Sequence, residues 1–97
     1  MDKKAGLEPL AKSEVRQLKA RAQRMKAVLK VGKEGLSDSF MTALDDALKH
    51  NPLLKVKFEE FKEAKKTLTP EMAERSRSHL VTRVGNVVVL YRPSKDA

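Results

Sequence analysis

Apolar residues recur at three- and four-residue spacing over 15–25, where Val15, Leu18, Ala22 and Met25 form one stripe. That periodicity predicts an amphipathic helix. Ser13 is placed as its N-cap and Glu14 in its first turn, giving a helix over about 13–25. A short apolar run, Ala27-Val28-Leu29-Lys30-Val31, predicts a strand that ends in Gly32-Lys33-Glu34-Gly35. Ser37 then caps a second helix, with Asp38 in its first turn. Phe40, Leu44, Ala47 and Leu48 form its apolar face, and Asn51-Pro52 stops it after Lys49 and His50.

Further on the period changes to two. Leu54, Val56 and Phe58 alternate with Lys55 and Lys57, a strand with one buried and one basic face. The stretch 59–68 fits either a short helix before a second one or a single helix with an irregularity. Thr69-Pro70 reads as an N-cap with a first-turn proline, predicting helix over about 70–77. Leu80–Val84 and Val87–Arg92 are β-branched runs joined by Gly85-Asn86, which predicts a type II′ hairpin. Val87–Tyr91 is almost wholly apolar, so it is expected to be a central strand covered on both faces. The order is therefore α-β-α-β-α-β-β. It implies a single α/β domain over 13–93 with a mixed four-stranded sheet, its first two strands parallel. Loose ends are expected at 1–12 and 94–97.

Composition narrows the function classes. The 97 residues carry 21 Lys+Arg against 13 Asp+Glu, a net +8. An excess of that size points to a polyanion such as nucleic acid. The charge is uneven. Residues 13–36 hold seven Lys/Arg against two Glu, whereas 37–52 hold Lys49 against Asp38, Asp45 and Asp46. Without cysteine there is no disulfide, thiolate nucleophile or thiolate zinc site. No apolar run is long enough for a membrane span, and the N-terminal residues lack the pattern of a signal peptide; a cytoplasmic monomer is the expectation. His50 and His79 lack a second ligand at metal spacing, and the adjacent Asp45 and Asp46 project to different sides of their helix. No enzyme, cofactor, metal or small-molecule substrate is therefore expected.

The candidate chemistry lies in the loop. Two glycines let the backbone turn sharply, and the helix that follows presents unpaired N–H groups with a partial positive charge. Such a shape suits phosphate. Gly32 and Gly35 would offer backbone N–H groups and Lys33 a point charge. Glu34 opposes this unless it turns outward or pairs with Lys33 or Lys30. Lys30, Lys55 and Lys57 lie on strands near the loop, and Arg16, Lys19, Arg24 and Lys26 are outer candidates. Arg92 either meets the nucleic acid or forms a structural ion pair. Phe40, Phe58 and Phe61 are placed in the core. Tyr91 suits either base stacking or the core, and its apolar strand favours the core. With four aromatic residues in all, contact by shape and backbone is favoured over a stacking platform.

The segments Val31-Gly-Lys-Glu-Gly-Leu36, Ala47–His50 leading to Leu54–Lys57, Val84-Gly85 and Leu90-Tyr91-Arg92-Pro93 occur in one order. Together they resemble the CRM domain family, over about residues 12–94. The resemblance implies an RNA-binding domain similar in fold to the C-terminal domain of translation initiation factor three, with the Gly-x-x-Gly loop in RNA contact. Lys33 matches the basic position of that loop. It also implies an association with precursors of the large ribosomal subunit and their ribosomal RNA. Pro52 departs from the family's usual glutamate, and Arg75-Ser76-Arg77-Ser78 replaces its usual Thr-Gly. A DNA-binding module, or an adaptor for an acidic protein partner, are the alternatives.

Overall fold

A computed structural model describes residues 9–93; of the loose ends expected at 1–12 and 94–97, residues 1–8 and 94–97 lie outside the described residues, whereas Leu10 packs on a core and Lys12 opens the first helix. The elements follow the order α1 (Lys12–Ala22), β1 (Leu29–Val31), α2 (Asp38–His50), β2 (Leu53–Phe58), α3 (Lys65–Arg75), β3 (His79–Val84) and β4 (Val87–Tyr91). The strands form one sheet in the order β1-β2-β4-β3. β1 and β2 are parallel and β3 and β4 antiparallel, as the sequence predicts; the neighbour of β2 on its other edge is β4, antiparallel to it, and not β3, the strand that follows α3.

Helices pack on both faces of the sheet. Leu54, Val56 and Phe58 of β2 and Val88 and Leu90 of β4 are fully buried, packed with Leu44 and Leu48 of α2 and Met72 and Ala73 of α3. The alternate positions, Leu53 and Val89 with Val81 of β3, pack under Leu18 and Ala22 of α1. Two-residue periodicity thus divides β4 between two cores, which explains its almost continuous apolar run. Leu10, Met25 and Tyr91 complete the α1 side, with the Tyr91 ring stacked on His79 at 6.3 Å. Burial holds the pKa of His79 below its ordinary value, although Glu14 acts in the other direction.

Several boundaries differ from the sequence pattern. α1 starts after Ala11, not at a Ser13 cap, and ends at Ala22. Its last turn tightens, with Arg24 N–H donating to Arg21 O and Met25 N–H to Ala22 O. Met25 still packs on the α1 core, which is why the apolar stripe overran the helix. α3 is the larger correction. Thr69 and Pro70 do not open it; they lie inside a helix that begins at Lys65 after a 3-10 turn at Lys62–Ala64. Proline normally costs roughly 3 kcal/mol in a helix interior. Burial of Leu68, Thr69, Met72 and Ala73 against the sheet outweighs that local preference. Thr69 Oγ1 is buried with no partner among the described residues.

Phe61 also departs from expectation. It is 45 % exposed, not in the core, and has a left-handed backbone, φ +58°. At the β3–β4 turn, Gly85 has φ +59° while Asn86 is not among the positive-φ residues, as a type II′ hairpin requires. The Arg75–Ser78 segment turns through Arg77, which takes a left-handed φ of +57°. Hydrogen bonds hold that turn: Ser78 N–H donates to Ala73 O at 2.9 Å, and the buried Ser76 and Ser78 hydroxyls are 2.7 Å apart.

Arg92 supplies the cross-brace. Its Nη1 donates to Asp45 Oδ1 at 2.8 Å and to Ser76 O at 3.0 Å, and its Nη2 to Asp45 O at 3.0 Å. It thereby ties the end of β4 to α2 and to the end of α3. The hydrogen bond from Arg92 holds the Asp45 carboxyl below the usual carboxylate range, with further charge attraction from Arg92 and Lys49. Because the folded pKa is the lower one, this contribution is complete above about pH 4 and is lost as pH falls through the folded value. Arg92→Ala is expected to cost about 1–3 kcal/mol in urea unfolding at neutral pH. The gap between wild type and variant should narrow as the pH is lowered through the Asp45 titration.

Candidate nucleic-acid interface

The parallel pairing of β1 and β2 sends both strands out at the same end of the sheet. The antiparallel register brings the β3–β4 turn to that end as well, since Lys57 lies opposite Val87 and Val87 opposite Val84. Three connections therefore cluster: the glycine loop at 32–35, the segment 59–61, and Gly85-Asn86. Asn86 O accepts from Phe58 N–H at 2.7 Å, and Asn86 Oδ1 from Lys65 Nζ at 2.9 Å. Glu59 and Glu60 both donate their N–H to Val31 O at 3.0 Å, holding their segment beside the glycine loop.

The two glycines are not equivalent. Gly35 has φ +63°, and a Cβ there would lie 3.4 Å from the Phe61 ring. Its N–H donates to Gly32 O at 3.0 Å, closing a tight turn. Gly35 is thus a conformational requirement, and its N–H is already used. The central N–H groups, on Lys33 and Glu34, have no backbone acceptor among the described residues. A Cβ at Gly32 would meet nothing within 4 Å, and its φ is not left-handed. Fold alone does not require glycine at 32. The loop leads into α2, where Ser37 Oγ accepts from Phe40 N–H at 3.1 Å as the sequence predicts.

Charge is distributed unequally around this loop. Lys33 and Glu34 are both exposed on it. On the α1 side, Arg16, Lys19, Arg24 and Lys26 are exposed, together with Arg21, which the sequence reading had counted as charge but not as a contact. Lys30 and Lys57 pair across β1 and β2 and are exposed on this side. Lys30 Nζ sits 3.4 Å from Glu59 Oε2, an exposed pair that contributes little stability. Lys55 is less available, because its Nζ donates to Met25 O at 2.9 Å and braces the chain after α1. On the α3 side, Glu59, Glu60, Phe61 and Glu63 line a shallow hollow and form an acidic lip. Of the two roles weighed for Arg92, the structure shows the ion pair, with its guanidinium bound to Asp45 and Ser76 O.

A mixed sheet with helices on both faces, and with a glycine loop and the N-terminus of α2 at one end, defines a small α/β domain. Among the described residues no cluster of potential metal ligands occurs. No helix of the described residues is long and apolar enough to cross a membrane. Residues 10–92 match the model of the CRS1 / YhbY (CRM) domain, and the chain belongs to that family. It is 32 % identical to the Probable RNA-binding protein YqeI of Bacillus subtilis, covering 81 % of this chain and 83 % of that protein. It is 31 % identical to an RNA-binding protein of Haemophilus influenzae, covering 82 % of each. The solution structure of hypothetical protein SAV1595 from Staphylococcus aureus superimposes with a TM-score of 0.76 at 31 % identity, covering 90 % of this chain and 92 % of that one.

The asymmetry of the glycines is open to measurement. Gly35→Ala should lower stability by roughly 1–2 kcal/mol, the cost of a side chain in left-handed backbone. Gly32→Ala should change it by less than about 1 kcal/mol in the same urea titration.

Proposed function

We propose that this protein binds structured RNA through the glycine loop and the basic surface of α1, and assists assembly of the large ribosomal subunit in the cytoplasm. The observation that carries the proposal is the excess of exposed cations from α1 to the loop, where Glu14 and Glu34 are outnumbered, while Glu59, Glu60 and Glu63 follow one another in the segment that leads to α3. Arg16, Lys19, Arg24, Lys26, Lys30, Lys33 and Lys57 supply the cations, and the N–H groups of Lys33 and Glu34 supply donors at the turn. Gly32 keeps the approach open. Contacts of this kind fix position on a phosphate backbone and carry little base information. The names of the relatives support RNA as the polyanion. The ribosomal assignment rests on the family resemblance.

Neutralising about four to six phosphates should give a log–log salt slope of roughly −3 to −5 when binding to a structured ribosomal RNA fragment is followed by anisotropy. A flat response would exclude the electrostatic mechanism. Gly32→Asp places a carboxylate on the open approach without requiring a strained backbone. It should weaken binding about tenfold while leaving the circular dichroism spectrum unchanged. In lysate gradients the protein should sediment with large-subunit precursors and return to light fractions after RNase. RNase-resistant association with one protein would favour an adaptor, and a preference for duplex DNA would reassign the nucleic acid.

A further inference from the structure

α1 covers only part of its face of the sheet. It lies over Leu53, Val81 and Val89, with Tyr91 at the margin. The next row toward the loop end crosses all four strands in register: Lys30 opposite Lys57, Lys57 opposite Val87, and Val87 opposite Val84. Val31, Val56, Phe58 and Val88 are fully buried in the core formed with α2 and α3. Strand alternation therefore turns this row to the α1 side. There it is open. Val84 is 71 % exposed, Lys30 and Lys57 are exposed and Val87 is half-buried. Val28, two residues before Lys30 on the same side, is 52 % exposed. Neighbouring strands stand about 4.8 Å apart, so the row spans roughly 14 Å.

We propose that this row is a second contact strip, which takes a short unpaired RNA segment continuing from the structured RNA at the glycine loop. The proposal rests on the RNA-binding reading above and extends it to a distinct substrate feature. Two ammonium groups at the β1–β2 end face a backbone phosphate. The valine methyls at the β4–β3 end cover the face of a base. In a duplex that face is stacked inside, so only an unpaired nucleotide gives the valines a partner. About two nucleotides fill the strip. It carries no aromatic ring and no base-edge donor of fixed geometry, so it accepts any sequence. Glu60 and Glu63, further along the segment toward α3, repel the strand from that side. Glu59 occupies Lys30 in the free protein, through a solvent-exposed pair that a phosphate displaces at little cost.

The full chain is titrated with one RNA hairpin, blunt or carrying a four-nucleotide overhang at its 5′ or 3′ end. One of the overhang probes should bind about fivefold more tightly than the blunt hairpin. Val84→Ser should reduce that advantage and Val84→Glu abolish it, both leaving blunt-hairpin affinity within about twofold; Val84 is exposed, so circular dichroism should be unchanged. Glu59→Gln should enlarge the advantage by releasing Lys30. Equal binding of blunt and overhang probes, or an advantage that survives Val84→Glu, overturns the strip while leaving the loop interface standing. Failure of every probe to bind overturns the RNA-binding reading itself. Displacement of the overhang by a glutamate-rich peptide at comparable concentration assigns the row to an acidic protein segment and also overturns it.

Discussion

The fold depends on burying β4 from both sides. Its last four residues alternate between two cores, with Val88 and Leu90 under α2 and α3 and Val89 and Tyr91 on the α1 side. Neither core is large. Each depends on the other through a strand whose backbone is paired on both edges, to β2 and to β3. A chain of this length gains its stability by sharing one strand between two apolar layers, not by building one deep interior. The same arrangement sets the position of the interface. Once β1 and β2 run parallel and β3 and β4 form a hairpin, three connections must emerge at one end.

At that end the charges are unevenly distributed. From α1 to the glycine loop the exposed cations outnumber Glu14 and Glu34, while Glu59, Glu60 and Glu63 follow one another in the segment that leads to α3. A polyanion meets an excess of cations with an acidic segment beside it. Phe61 serves both parts. Its ring packs against Gly35 and supports the tight turn, while its backbone positions the acidic segment next to it.

Wherever burial imposes a period, the elements were legible in the residues. The alternation at 54–58, the Ser37 cap, the Gly85-Asn86 turn and the central position of Val87–Tyr91 all follow from local chemistry. What escaped were outcomes decided by distant partners. Pro70 reads locally as a helix start, yet the core contacts of Leu68 and Met72 carry the helix through it. Arg92 stays open between a nucleic-acid contact and an ion pair in the sequence, because the deciding partner, Asp45, lies 47 positions earlier in the chain. Gly32 and Gly35 look alike in the sequence, and only the position of Phe61 and the backbone angles separate them. The charge distribution around the candidate interface was only partly visible, because the parallel pairing of β1 and β2 brings Glu59 to within 3.4 Å of Lys30, far from it in the chain.

The register shift between Leu80 and Thr82 lies in β3, an outer strand of the sheet. The opposite outer strand, β1, is three residues long. An unpaired strand edge invites pairing with another chain, and irregular or very short edges resist it. Both margins of this sheet are blunted in one of these two ways. Exposed valines on a β-sheet are ordinarily an aggregation hazard, and here the backbone beside them offers no long straight template for a fibril. The bulge in β3 and the shortness of β1 thus leave the exposed valines without a long straight edge beside them.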